Sequence, residues 1–436
     1  MGTEPACDLP CYLMAVGSRA ELARRENPGA RPNGGLPSRS ILIVAPEWPY
    51  PPSWGFATRV YNLARQLSQR HRVSLLTYGS AEQAASDGQV APTFESVHFV
   101  PPPSARRSKR RAQAASLFSA RSFHAGGLLS AGMEDALEKL LSRGEFDLVQ
   151  LESSQMASYA RVSNVPTALD EHNIEYVLLR RMAAVELSPA RKAYAYLEAA
   201  KVRREELRAW VRCDGSIFTS DLDLSVMRSE VPAKPACVVP NGVDIEYFSP
   251  VREEPEASTV VFTGSINYRP NADAVAFFIS DVMPRLLRLR PSTKFLVVGQ
   301  GAPDWLLRMS SPHVKFTGAV RDVRPYLGRA AVVVAPLRVA GGTRLKILEA
   351  LSMQKPVVTT TIGGEGLNVI DGEHVSVADD PQRIAEEVAR LMADSKSAAE
   401  LAHNGRRLIE SDYSWSVIVH RLEDFHAQLI SKETRV

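Results

Sequence analysis

Cysteine is scarce in this chain. The four in 436 residues, Cys7, Cys11, Cys213 and Cys237, form no CxxC pair and have no histidine cluster beside them. That argues against a zinc site or a disulfide framework and points to a reducing cytoplasm. No apolar run approaches the roughly 18 residues that cross a bilayer, and Glu4 and Asp8 stand where a secretory signal carries positive charge. Charge of one sign is missing too. Fifty-two basic residues against 49 acidic ones leave a net +3, too even a balance to suggest nucleic acid as a partner. An Asp-x-Asp pair on a loop, suited to a divalent ion, is also lacking: Asp221-Leu222-Asp223 opens a helical stretch and Asp379-Asp380 comes late. Metal independence is the expectation.

What is present is a chain with 45% apolar and 23% charged residues, close to the globular average. At roughly 100–200 residues per domain, its length predicts two domains and a cleft. Residues 1–38, rich in Gly, Pro, Arg and Ser, read as a disordered leader. Ile41–Ala45 is a short β-branched run, followed by a helical face of Val60, Leu63, Ala64 and Leu67 and a second run at Val73–Thr77. This is a βαβ unit, which requires a parallel sheet and a right-handed crossover. The alternation continues to residue 245, predicting an N-terminal Rossmann-like domain over 39–245. A polar, proline-bearing linker follows at 250–258. A second series of apolar runs, from Val260–Gly264 to His374–Val377, predicts another doubly wound domain over 259–412. Residues 413–436 read as a helix packing back on the first domain. The fold class is α/β, with two parallel-sheet domains facing across a cleft; no solenoid period is present.

The stretch Ala335 to Leu351 carries the chemistry. A buried strand ends at Pro336, a loop bearing Gly341 and Gly342 follows, and Thr343 is placed to cap a helix with Leu345, Leu348 and Leu351 on its apolar side. Free N–H groups at such a helix start bind anions. Arg344 and Lys346 lie in the first turn, where the helix dipole disfavours cations by about 0.3–1 kcal/mol unless an anion is present. Their placement suggests a phosphate; the alternative is two solvated cations, with Lys346 pairing Glu349 at i,i+3.

With Val239-Pro240-Asn241-Gly242-Val243-Asp244, Phe262-Thr263-Gly264-Ser265, Val298-Gly299, Gly318-Ala319-Val320 and Lys346 through Pro356, residues 41 to about 425 resemble family 4 of the nucleotide-sugar glycosyltransferases, which have the two-domain GT-B fold. Many members carry two glutamates seven residues apart across this loop and helix. Glu349 matches the second, whereas Gly341 stands at the first. The resemblance implies that Glu349 accepts hydrogen bonds from the ribose hydroxyls of the donor, which acts as co-substrate with no further cofactor. It implies that Arg344 and Lys346, with N–H groups around Gly342 and Thr343, neutralise its diphosphate. Backbone near Val320 would read the base, and His172 would contact the donor sugar. A retaining, metal-free transfer is the expected stereochemistry.

Other candidates come from the residues themselves. Gly264 and Ser265, with Arg269 and Asn271, form another loop at the carboxyl edge of the second sheet, from which Arg269 would reach the phosphates. Gly55, in the aromatic loop Trp48–Phe56, permits close backbone approach to the donor. Its rings either stack on sugars or cover the domain's own core. Asp170-Glu171-His172-Asn173 ends a strand, so its polar groups are expected in the cleft, His172 above Glu171 in weight. Five of the six residues Arg106–Arg111 are basic, and a weak helical pattern follows, so 106–123 is a candidate contact with an acidic membrane face or a pyrophosphate-linked acceptor. The expected acceptor is a glycan, a lipid-linked glycan or a small molecule. Two other function classes compete: a nucleotide-sugar epimerase of the same architecture, using carboxylates such as Glu171 and Glu365, and a non-catalytic nucleotide-sugar-binding subunit.

Overall fold

The computed structural model describes residues 37–52, 54–80, 82, 93–103, 116–123, 128–186, 188–251, 256–339, 341 and 344–433. Two parallel sheets organise them. The first comprises β1 (Ser40–Ala45), β2 (Arg72–Tyr78), β3 (Ser96–Val100), β4 (Leu148–Glu152), β5 (Thr167–Glu171), β6 (Gly215–Phe218) and β7 (Ala236–Val238), in the order β3-β2-β1-β4-β5-β6-β7. The second holds β8 (Glu256–Thr263), β9 (Lys294–Val298), β10 (Val314–Phe316), β11 (Ala330–Ala335), β12 (Val357–Thr359) and β13 (Ser376–Val377), in the order β10-β9-β8-β11-β12-β13. All eleven strand pairings are parallel. The unbroken apolar runs have their reason here: β1 and β11 are covered on both faces, so alternation with polar residues would bury unpaired groups.

The strand orders fix where a ligand can sit. The order reverses between β1 and β4 in the first sheet and between β8 and β11 in the second. Loops on either side of a reversal diverge and leave a crevice at the carboxyl edge. In the first sheet the crevice lies at the loop after β1 and the helix Gly55–Leu67; in the second, at Gly264 and the loop after β11.

The helix Trp415–Glu433 returns to the first domain. Trp415, Ile418, Leu422, Phe425 and Leu429 join Ile41, Ile43 and Ile217 in one apolar cluster. The contact is tight at the connection between domains: a Cβ on Gly242 would lie 2.8 Å from Trp415, Ile418 and the Tyr413 carbonyl. Arg59, fully buried on the helix Gly55–Leu67, ties this connection to the sheet. Its Nε and Nη2 each donate to Asp170 at 2.8 Å, and its Nη1 donates to the Pro240 carbonyl at 3.2 Å and Asn241 Oδ1 at 3.0 Å.

A buried guanidinium whose donors reach both a carboxylate and the connecting segment is satisfied only as a set. Arg59→Met would leave Asp170 buried without its cation and is expected to lose about 3–5 kcal/mol of stability. Urea unfolding checks this; a loss under about 1 kcal/mol would show that the pair is dispensable.

Candidate functional site

The helix after β11 spans Leu345–Ser352, with Arg344 as its N-cap residue and no side-chain cap bond. Gly342 and Thr343 lie outside the described residues. Arg344 is buried and Lys346 half-buried, and each is hydrogen-bonded to the protein, so neither is the freely solvated residue of the alternative reading. Lys346 Nζ donates to Asn271 Oδ1 at 2.6 Å and lies 4.5 Å from the centroid of the Phe262 ring. Asn271 is held in turn by its donation to the Ser265 carbonyl at 2.8 Å. A Cβ on Gly264, which has φ +142°, would come within 3.1 Å of Lys346 Nζ, so this ammonium sits directly under the loop after β8.

Lys346 does not form the i,i+3 ion pair with Glu349 that the alternative reading invoked; its partner is Asn271. Burial lowers the Lys346 ammonium to about 8, against a smaller opposite pull from Glu349. Burial likewise raises the Glu349 carboxyl to about 7, with Lys346 acting against it. Among the described residues none donates a hydrogen bond to the Glu349 carboxylate, so its lone pairs are available to an incoming donor. A carboxylate and an ammonium both partly withdrawn from water, one turn apart and not in contact, leave each charge undercompensated until a ligand bearing hydroxyls and negative charge arrives.

Arg344 is more committed. Its Nη1 donates to the Glu365 carbonyl at 2.7 Å, and its Nη2 to the Ile362 carbonyl at 2.6 Å and Glu365 Oε2 at 3.2 Å. The Glu365 carboxylate also takes a bidentate pair from Arg181 of the first domain, at 2.5 and 3.0 Å. One carboxylate therefore joins a cation from each domain. Arg269 also bridges the domains, donating to Glu186 Oε2 at 2.5 Å. A Cβ on Gly341 would lie 3.1 Å from Asn173 Oδ1 and 3.6 Å from Leu178, so the loop after β11 faces the segment following β5. Gly318, with φ +71°, is bridged to Gly299, and Val320 beyond it is half-buried against the apolar cluster beneath the Leu345–Ser352 helix.

In the first domain Asp170 and Glu171 do not emerge into the cleft. Asp170 is consumed by Arg59. Glu171 points to the opposite face of the sheet, accepting from Trp210 Nε1 at 2.9 Å and the Ser154 N–H at 3.2 Å, and burial lifts it to about 8. His172 is the cleft residue of this run. Its ring stacks on Phe56 at 4.9 Å and its Nε2 meets Glu152 Oε2 at 2.8 Å. Gln150 Nε2 donates to the other Glu152 oxygen at 2.7 Å. Glu152 is buried and its carboxyl is raised, by desolvation first and by the Asp170 charge second. The Glu152, Asp170 and His172 ligand atoms lie within 4.8 Å of one another. Their oxygens are already engaged by Arg59, Gln150 and His172, so the trio is a hydrogen-bonded network. Gly55 is exposed at the start of its helix, whereas Trp48 packs on Phe99 and Tyr50 on Tyr61. Those two rings cover the domain's own core; Phe56 packs on the same core while stacking on His172, and Trp54, the fourth aromatic residue of the loop, is exposed.

Sequence reading did not pick out Glu152, Arg181 and Glu186. Glu152 carried a signal, a glutamate two residues after Gln150 in a fully buried strand; Arg181 and Glu186 look like ordinary surface charges until the domains are brought together.

Comparison with known proteins places this arrangement. The protein-family profile described as Glycosyltransferase Family 4 matches residues 55–247, and that described as Glycosyl transferases group 1 matches residues 257–394. A GDP-mannose-dependent monoacylated alpha-(1-6)-phosphatidylinositol monomannoside mannosyltransferase of Corynebacterium glutamicum is 28% identical over 205 residues, 42% of this chain and 54% of that protein. A glycogen synthase of Mycobacterium tuberculosis is 29% identical over 194 residues, 42% of this chain and 45% of that protein. The chain thus spans about half the length of these curated relatives. Among solved structures, sucrose-phosphate synthase from Thermosynechococcus elongatus superposes with a TM-score of 0.69 at 15% identity, covering 90% of this chain and 100% of that one. Anabaena HepE in complex with UDP-glucose gives 0.64 at 14% identity, covering 90% and 100%. With the two profiles falling one on each parallel-sheet domain, the chain belongs to the group 1, family 4 glycosyltransferases and has their GT-B fold.

Proposed function

We propose that this protein transfers a hexose-type sugar from a nucleotide-diphosphate donor to a glycan, lipid-linked or small-molecule acceptor, with retention and without a metal or further cofactor, at the cytoplasmic face of a membrane that 106–123 contacts peripherally. The observation that carries this reading is the half-buried Lys346 and Glu349 under Gly264, each shifted by desolvation and neither in ion-pair contact with the other. In this reading the diphosphate lies over the start of the Leu345–Ser352 helix with Lys346 and Arg344 beside it, and Glu349 accepts the ribose hydroxyls. Backbone at Gly341, Gly342 and Thr343, together with Val320, frames the phosphates and base, and Gly55 lets the first domain approach. Arg269 reaches the phosphates only by leaving Glu186.

In the transfer, the bond from the anomeric carbon to the diphosphate oxygen breaks as an acceptor hydroxyl attacks from the same face. The hydroxyl proton passes to the departing phosphate oxygen. Lys346 and Arg344 stabilise the charge that accumulates there, and His172, held by Phe56 and Glu152, borders the sugar. An epimerase reading is disfavoured: Glu171 faces Trp210 and Glu365 is locked between two arginines, so neither is a free carboxylate beside the sugar. Gly341 in place of a glutamate motivates a non-catalytic subunit, but the anion-binding residues beside it are intact.

Incubating a nucleotide sugar without acceptor separates these readings: slow hydrolysis to the nucleoside diphosphate is expected, undiminished by a chelator. Formation of an epimer, or a rate abolished by chelation and restored by a divalent ion, would contradict the proposal.

The pH dependence of nucleoside diphosphate binding tests the pair itself. Glu349 is an anionic acceptor only above about 7, so affinity falls as pH drops through that value. Lys346 carries its charge only below about 8 in the free protein, so affinity also falls as pH rises through it. Calorimetry is expected to give a maximum between the two. Glu349→Gln should weaken binding at pH 7.5 by about 1.5–3 kcal/mol and flatten the acidic limb. Lys346→Met should flatten the alkaline limb and cut turnover by about 100- to 1,000-fold. Wild-type pH profiles in both variants would remove the assignment.

A further inference from the structure

The helix Pro189–Arg212 has an unusual outer face. Its exposed charged residues are Arg191, Arg204, Arg208 and Arg212, and none of its exposed residues is acidic. Its three glutamates are turned inward or engaged. Glu198 accepts from Lys201 at 3.0 Å and from the Phe123 N–H at 2.6 Å. Glu205 accepts from the Ser122 N–H and hydroxyl at 2.7 and 2.5 Å, and Glu206 from the N–H groups of Glu175 and Tyr176. Interleaved with the arginines are exposed apolar side chains: Tyr196, Leu197 and Val211 are 43%, 41% and 55% accessible.

The segment 116–123 is fastened along this helix. Besides the bonds to Glu198 and Glu205, Lys201 Nζ donates to the Ser116 carbonyl at 2.5 Å, the Ser116 and Tyr194 hydroxyls meet at 3.1 Å, and Arg204 donates to the Ala120 carbonyl. These bonds hold Phe118 at 95% exposure and Leu117 at 49%. Leu197 stands one turn from Tyr194 and from Lys201, in the row that grips Ser116, so it borders the same patch. The segment carries Arg121 and no acid, and the five basic residues of Arg106–Arg111 precede it in the chain. Anchoring a phenylalanine in water opposes the hydrophobic effect unless something apolar receives it. Exposed apolar side chains on a helix whose fully exposed charges are all basic are complementary to a surface with acyl chains beneath anionic headgroups.

We propose that the outer face of Pro189–Arg212, with Phe118 and Leu117 as its wedge, is the docking surface for an anionic lipid bilayer. This specifies the peripheral contact of the reading above. The inner face of the same helix packs against the helix Glu175–Ala184, which carries Leu178 and Arg181 to the cleft. The bilayer would therefore lie one helix away from the cleft, on the side where a lipid-linked acceptor arrives.

Co-sedimentation of the full chain with vesicles of phosphatidylglycerol and phosphatidylcholine, and with phosphatidylcholine alone, tests it. Binding is expected only to the anionic vesicles and is released by added salt. Arg208→Gln with Arg212→Gln should weaken it about 30-fold, about 1 kcal/mol for each arginine, and Phe118→Ser should weaken it at any salt concentration. Nucleoside diphosphate affinity should be unchanged in these variants, which separates this failure from failure of the transferase reading. Equal binding to both vesicle types, wild-type binding by the variants, or a dimer in ultracentrifugation that Phe118→Ser dissolves would overturn the proposal.

Discussion

Lys346 is half-buried beneath a loop that leaves little room for a side chain, and much of the second domain follows from that constraint. Gly264 takes a φ of +142°, and a Cβ at the neighbouring Gly299 would lie 1.8 Å from the Gly264 carbonyl. The ends of β8 and β9 are thereby pressed together, the Phe262 ring is placed under the ammonium, and Asn271 is drawn in as its acceptor. Removing a cation from water without a carboxylate in contact is costly, as its lowered pKa records. A fold retains such a cost when a ligand repays it.

The same logic extends across the cleft. Glu365 is shared by Arg181 from one domain and Arg344 from the other, and Arg269 pairs with Glu186, so the domains meet through charges that already have partners. An incoming diphosphate would compete with these carboxylates for the arginines. Lys346 has no carboxylate to give up, which makes it the better candidate for the first phosphate contact. In the first domain, Arg59 neutralises Asp170, while Glu152 and Gln150 form the polar floor on which His172 rests.

Much of this was legible in the sequence. Apolar runs predicted each strand, because a strand covered on both faces leaves no room for alternation. Glycines and prolines at strand ends marked the edge where the crevices open. The cations at a helix start suggested a phosphate without any view of the fold. Side-chain direction was the limit. Period-two alternation sends Asp170 and Glu171 to opposite faces, but which face met the cleft depended on packing by Trp210 and Arg59, which lie 40 residues after and 111 residues before Asp170. The pairings Arg181–Glu365 and Arg269–Glu186 span 184 and 83 residues and exist only once the two domains are juxtaposed. The helix-dipole argument for Lys346 missed Phe262 and Asn271, which lie in the same domain but 84 and 75 residues earlier in the chain and meet it only once β8 and the Leu345–Ser352 helix are packed.

The most direct measurement is a crystal structure of the full chain grown with a nucleoside diphosphate. Density for the phosphates over the start of the Leu345–Ser352 helix, within hydrogen-bonding reach of Lys346 and with the ribose hydroxyls on Glu349, is the predicted result. A nucleotide bound elsewhere, for example at the start of the Gly55–Leu67 helix, with Lys346 still on Asn271 and Glu349 untouched, would contradict the account.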